Sequence, residues 1–169
     1  ALGPSWGLLP DTTGHALLRG SVVGELWRLD LRAGASGPGR LRLDEDASAG
    51  FDVFALSGGI VGCARPRARA LVFEVCGGAE GAALRAKGVG VTPALVAVKP
   101  YLGALLSAGM SYEWKHVALF VTPETGIALS RARFAFTDGP EVYLVPPVSA
   151  RVLAGIEFRL GQERPTTAP

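Results

Sequence analysis

Apolar and polar residues alternate with a period of two over long stretches of this chain, a spacing that admits strands far more readily than helices. In residues 25–32, ELWRLDLR, one face carries Trp27, Leu29 and Leu31 and the other Arg28, Asp30 and Arg32. In residues 151–160, RVLAGIEFRL, one face carries Val152, Ala154, Ile156, Phe158 and Leu160, the other Arg151, Glu157 and Arg159. A half-buried strand of a water-soluble domain turns its apolar face inward. The 23 Gly and 12 Pro are scattered without a period, which excludes collagen and disfavours long helices.

Further strands are expected at 40–44, 51–56, 60–64, 70–76, 111–122, 127–137 and 141–145. Turn chemistry separates them at 35–39 (ASGPG), Gly58-Gly59, Gly77-Gly78, 123–126 (PETG) and 138–140 (DGP). Residues 100–109 begin with Pro and end with Gly, the asymmetry of a short helix, and 79–87 would suit a helical turn. The expected fold is all-β: a single jelly roll, or two-sheet antiparallel β-sandwich, of about eight to ten strands with one short helix. An N-terminal arm (1–14) precedes the sandwich domain (15–160), and a flexible tail (161–169) follows. The expected core holds Trp27, Leu29, Phe51, Val53, Phe73, Val75, Trp114, Phe120, Phe134, Phe136, Ile156 and Phe158.

Charge and motifs say little about chemistry. Net charge is +2, too balanced for a dedicated nucleic-acid binder. Residues 88–110 are long enough to span a bilayer, but Pro93, Lys99 and Pro100 interrupt them, so no transmembrane helix is expected. The first residues lack the basic start and apolar run of a signal peptide. Cys63 and Cys76 lie in apolar runs; they are either buried free thiols or form a disulfide, within the chain or between subunits. Two cysteines and the distant His15 and His116 form no metal-ligand set. His116 lacks a spaced nucleophile or acid partner, and the acidic run Asp44, Glu45 and Asp46 reads as a solvated turn. No catalytic residue, cofactor site or metal site is expected, and the chain reads as a non-enzyme.

The whole-chain strand pattern, the hairpin EWKHVALFVTPETGIALSRARFAF and the composition resemble small single jelly-roll capsid proteins of tailless internal-membrane phages of thermophilic bacteria. The resemblance implies a virion subunit that builds the shell by oligomerisation. Its partners would be further copies of itself, a second capsid protein and the internal membrane, with no specific nucleic acid. Trp6, Leu8 and Leu9 of the arm, the basic run Arg65, Arg67 and Arg69, and Arg164 of the tail are the candidate assembly contacts. The competing reading is a secreted or cell-surface β-sandwich that binds a receptor or ligand, such as a trimeric jelly-roll head.

The chain has no Asn and a single Gln, Gln162, which fits selection against heat-labile residues. A melting midpoint above about 80 °C is expected on that account; a midpoint near an ordinary ~55 °C would assign the missing Asn to coding bias.

Overall fold

A computed structural model describes residues 1–43, 46–68, 70–90, 96–135 and 141–159. Eleven strands follow one another: β1 (Leu2–Trp6), β2 (Thr13–Val23), β3 (Trp27–Leu43), β4 (Asp46–Ala64), β5 (Arg67–Ala68), β6 (Leu71–Val89), β7 (Val96–Trp114), β8 (Val117–Ser130), β9 (Arg133–Ala135), β10 (Glu141–Leu144) and β11 (Val148–Phe158). Among the described residues there is no helix.

The sheet runs β4-β3-β2-β1-β11-β8-β7-β6-β5, and a further pairing of β4 with β6 joins its ends. The result is a closed antiparallel barrel with eight wall strands; β5 lies in the β4–β6 connection, and β9 and β10 form a small separate hairpin. The closing pair is long and regular, from Gly50↔Val89 to Ala64↔Val75. Closure removes the free edges that an open sheet would present, except below Leu2, where β1 stops short and the turn-end stretches of β2 and β11 face each other without a pairing. Short connections, including Lys115-His116 with Lys115 at φ 49°, gather at one end, the turn end. The β1–β2 connection and the excursion carrying β9 and β10 lie at the other, the loop end.

The fold corrects the jelly-roll expectation. Residues 100–109 are part of β7, not a helix, and 79–87 are part of β6. Their Ala- and Gly-rich composition tolerates a helix, but each stretch pairs residue by residue with its neighbours. The expected turns at 35–39, 58–59, 77–78 and 123–126 lie inside strands. Residues 35–39 form an irregularity in β3, with a cis Gly37-Pro38 bond and a shifted register against β4. Gly78 in β6 faces the β4 backbone so closely that a Cβ would collide with the Ile60 carbonyl and approach Val61 Cα within 2.7 Å. Gly77-Gly78 therefore marks close strand approach, not a chain reversal. The 138–140 turn and the tail 161–169 fall outside the described residues, and residues 2–6 of the arm form wall strand β1.

The faces are reversed as well. Expected core residues Trp27 (53%), Phe73 (43%), Val75 (62%), Trp114 (70%), Ile156 (57%) and Phe158 (74%) are exposed on the outside, as is Leu29. Val53, Phe120 and Phe134 are buried as expected, Phe51 packs against the cluster that holds Val53 and Phe134, and Phe136 lies outside the described residues. The buried apolar residues concentrate toward the loop end. There Leu8 and Leu9 of the first connection meet Val53, Leu84 and Tyr101 of the wall and Phe134 and Val145 of the excursion. Phe134 and Tyr143 stack with ring centroids 6.5 Å apart, and burial pushes the Tyr143 hydroxyl up to about 12.

Cys63 and Cys76 face each other across β4 and β6 and form a disulfide. It closes a short loop, for which chain-entropy arguments give about 3 kcal/mol. The double variant Cys63→Ser/Cys76→Ser is expected to lose stability on that scale in denaturant unfolding, while the wild-type protein shows no alkylatable thiol without a reductant.

Candidate functional site

The alternation along each wall strand sorts side chains into a lumen and an outer surface, and their chemistry is inverted relative to a soluble barrel. Leu102, Leu106, Met110, Tyr112 and Trp114 of β7 point out, while Gly103, Leu105, Ser111 and Glu113 point in. On β8, Leu119, Val121 and Ile127 point out, while Thr122 and Glu124 point in. On β3, Leu29 and Leu31 point out, while Arg28, Asp30 and Arg32 are buried. The outer wall is thus an apolar belt.

The lumen toward the turn end holds an ion-pair network. It joins six arginines (Arg19, Arg28, Arg32, Arg65, Arg151 and Arg159) to six carboxylates (Asp30, Glu74, Glu80, Glu113, Glu124 and Glu157). Arg151 donates to both oxygens of Glu80 at 3.1 and 2.8 Å and to Glu124 at 2.7 Å. Arg32 reaches the other oxygen of Glu124 at 2.6 Å and lies 3.5 Å from Asp30, which links this group to the next. There Arg28 donates to Asp30 at 2.5 Å and to Glu157 at 2.6 Å, and Arg65 donates to Glu74 at 2.8 Å and to Glu113 at 3.0 Å. Arg159 closes the chain by donating to Glu113 at 2.6 Å. Arg19 donates to Glu157 and lies over the Phe120 ring, 3.9 Å from its centroid.

Charge balance makes such burial tolerable, since an unpaired buried ion costs several kcal/mol. Guanidinium suits the role: it offers five donors in a planar fork and stays charged, so one Arg can serve two or three carboxylates. The chain's 14 Arg against 3 Lys have a structural use here, because all six lumenal cations named above are Arg. His15 extends the polar lumen upward, its Nδ1 2.5 Å from the Ser36 hydroxyl. A cleft of about 680 Å³ lies between β2 and β11 below Ala1, lined by Arg19, Arg28, Phe120, Glu157 and Phe158.

The candidate assembly residues do not form one surface. Trp6 is exposed on the outer wall (40%), whereas Leu8 and Leu9 are buried in the loop-end apolar cluster. Arg65 is fully buried in the lumenal network, Arg67 is exposed in β5, and Arg69 and Arg164 lie outside the described residues. The network itself was missed in the sequence, although the alternating charges at 28, 30 and 32 and at 151, 157 and 159 were visible there. No group of three or more potential metal ligands occurs among the described residues.

No protein-family model matches the chain, and no curated protein sequence matches it. Among solved structures the chain is similar to that titled "The crystal structure of Ail, the attachment invasion locus protein of Yersinia pestis". The TM-score is 0.50 at 12% identity, and the match covers 94% of this chain and 95% of that chain. The likeness is one of fold. It overturns the capsid resemblance and the virion placement, because a closed eight-stranded barrel is a different topology from a jelly roll. The competing reading loses its jelly-roll form for the same reason.

Removal of one network member should expose the cost of the others. Arg151→Ala leaves Glu80 and Glu124 buried without their main partner, and a loss of about 3–5 kcal/mol is expected in urea unfolding. Arg40→Ala, which breaks an exposed pair with Asp52, is expected to cost under about 1 kcal/mol.

Proposed function

We propose that this protein is an outer-membrane-type β-barrel that anchors a surface-exposed end for attachment to other molecules or cells. The observation that carries the reading is the inverted wall: exposed apolar side chains outside and a neutral ion-pair network inside. A lipid bilayer demands that arrangement of a spanning barrel, because its hydrocarbon solvates the belt and offers no partner to backbone or charge. The belt has the right height. From Leu102 to Trp114 the twelve steps of β7, at about 3.3 Å each and about 45° tilt, rise roughly 28 Å, close to the hydrocarbon thickness of a bilayer.

Aromatic side chains fall where an interface would lie. Trp27, Tyr112, Trp114 and Phe158 are exposed near the turn end, and Trp6 and Phe54 lie toward the loop end. Trp and Tyr favour the boundary between hydrocarbon and headgroups. No helix among the described residues is long and apolar enough to cross a membrane; the strands provide the crossing in this proposal.

A plugged lumen suits an anchor better than a wide channel. Leu8, Leu9, Phe134 and Val145 fill the loop end, and the paired guanidinium groups fill the turn end. The solved structure similar in fold is that of an attachment invasion locus protein, and here an attachment role would belong to the loop end. The proposal includes no catalysis.

Membrane insertion tests the reading directly. The full chain, refolded into phosphatidylcholine vesicles, should resist carbonate extraction and protect its strands from protease. Leu106→Arg places a cation midway up the outer belt and is expected to cost about 2–4 kcal/mol of insertion stability, with Leu106→Ala far milder. A chain that stays monomeric in buffer without detergent, with its belt exposed, would sink the proposal.

A further inference from the structure

Along the turn-end half of β2 and β11 the barrel wall is one strand short. Above that level β1 lies between them, with Leu2 opposite both Ala16 and Ala154. Its ladder still runs at Ala1, whose amine donates to the Leu17 carbonyl at 2.7 Å and whose carbonyl accepts from the Leu17 N–H at 2.9 Å. Below Ala1 the two neighbours continue to Val23 and Phe158 on either side of the cleft described above. Leu17 turns both backbone groups toward β1, so the alternation of an antiparallel ladder turns those of Arg19, Ser21 and Val23 into the cleft. On β11 the Arg159 N–H donates to the His116 carbonyl on the β8 side, which turns the backbone groups of Ile156 and Phe158 into the cleft from the opposite edge. Among the described residues none of these cleft-facing groups has a partner.

We propose that this cleft takes one extended strand of about six residues, which leads into Ala1 and completes β1 down to the turn end. The inference rests on the membrane-spanning reading and adds an occupant to that wall. The register of β1 supports it. Continued past Ala1, that register sets the first added residue between Leu18 and Ile156, the second between Arg19 and Glu157, and the third between Gly20 and Phe158. The two edges agree in face at each level: Leu18, Gly20, Ile156 and Phe158 point outward, whereas Arg19 and Glu157 point into the lumen. The hydrogen-bond pattern agrees as well. Ala1 bonds to β2, so the second added residue meets the cleft-facing groups of Arg19, and the first and third meet those of Ile156 and Phe158. One strand therefore satisfies both edges at once.

Chemistry narrows the occupant. Hydrocarbon offers no partner to backbone N–H and C=O groups, and an acyl chain would fill the cleft without bonding them. A polypeptide strand presents both groups at this spacing on both sides. Leu18, Val22, Ile156 and Phe158 flank its outer face, which calls for apolar side chains there. On the lumenal face Arg19 donates to Glu157 at 2.8 Å across the cleft and Ser21 donates to Asp30 at 2.6 Å, which leaves room for small side chains. Continuity with the β1 ladder at Ala1 points to this chain, ahead of Ala1, rather than to a separate polypeptide.

Two measurements test the strand. The protein isolated from its native membranes should show, by N-terminal sequencing, at least about six residues ahead of Ala1 in which apolar and small side chains alternate. A mature chain that begins at Ala1, or a preceding segment without that alternation, would overturn the proposal. The geometry is read on the chain from Ala1 onward in phosphatidylcholine vesicles, alone or with Ser-Leu-Ser-Val-Ala-Val fused ahead of Ala1. This fusion sets Leu and Val outward, and unfolding in urea should slow by at least about tenfold. A fusion of Leu-Ser-Val-Ala-Val-Ser, shifted by one residue, turns the apolar side chains inward and should give no gain. No gain from the first fusion, or equal gains from both, would overturn the proposed register. A gain from the first sequence added as a separate peptide, as large as that from its fusion, would assign the cleft to a partner chain and overturn the source. Failure of every form to insert would strike the membrane reading itself, which separates the two conclusions.

Discussion

Six guanidinium groups and six carboxylates share the interior of this barrel, and the rest of the structure follows from keeping them paired. An eight-stranded barrel has just enough interior for its inward side chains. Once these are Arg, Asp and Glu, the large apolar residues have only the outer surface left. The ion pairs also couple distant strands. Arg151 of β11 holds Glu80 of β6 and Glu124 of β8, and Arg65, beyond β4, holds Glu74 of β6 and Glu113 of β7. These links cross the lumen, so the barrel is braced through its centre as well as around its wall.

Such a lumen would be a poor stabilising device in water, because desolvated ion pairs rarely outperform well-packed apolar side chains. It becomes sensible when the outside is hydrocarbon. The belt residues Leu106, Val121 and Phe158 then need no burial against protein, and the lumen is the one place where polar side chains can find partners. The loop end differs. There the interior turns apolar around Leu84 and Tyr101, and the outer wall turns charged at Arg40, Arg85 and Lys87. Both changes fall near the same level of the barrel, which fits strands that rise out of a bilayer into water and form a soluble, conventionally packed tip.

The period of the strands was legible in the chain, and so was the pairing of residues into faces. Trp27, Leu29 and Leu31 do share a face, as do Arg151, Glu157 and Arg159. The sign of these two faces was read backwards, because period two does not say which face is the inside. Strand length was also obscured. Gly58-Gly59, Gly77-Gly78 and the PETG run resemble turns, yet they sit inside strands of 14 to 19 residues. In a barrel wall, small residues answer close strand approach, as at Gly78, and an outward Pro such as Pro123 occupies a wall position opposite Val152. The lumenal network was hidden for a related reason. Arg65, Glu74, Glu113 and Arg151 are far apart in the chain and carry no local spacing that marks them as partners.

The sequence by itself determined that strands dominate this chain, although it also suggested a helix at 100–109, and it determined that alternating residues share a face and that the cations are overwhelmingly Arg. Local sterics and side-chain alternation act over a few residues, so they are readable from neighbours alone. The tertiary structure decided that the sheet closes on itself, that the charged face is the inside, and that Cys63 meets Cys76 across the closing strands. Closure depends on the register of β4 against β6, and the choice of inside depends on whether twelve charges can find one another across the lumen. Both are properties of residues distant in the chain and adjacent in space.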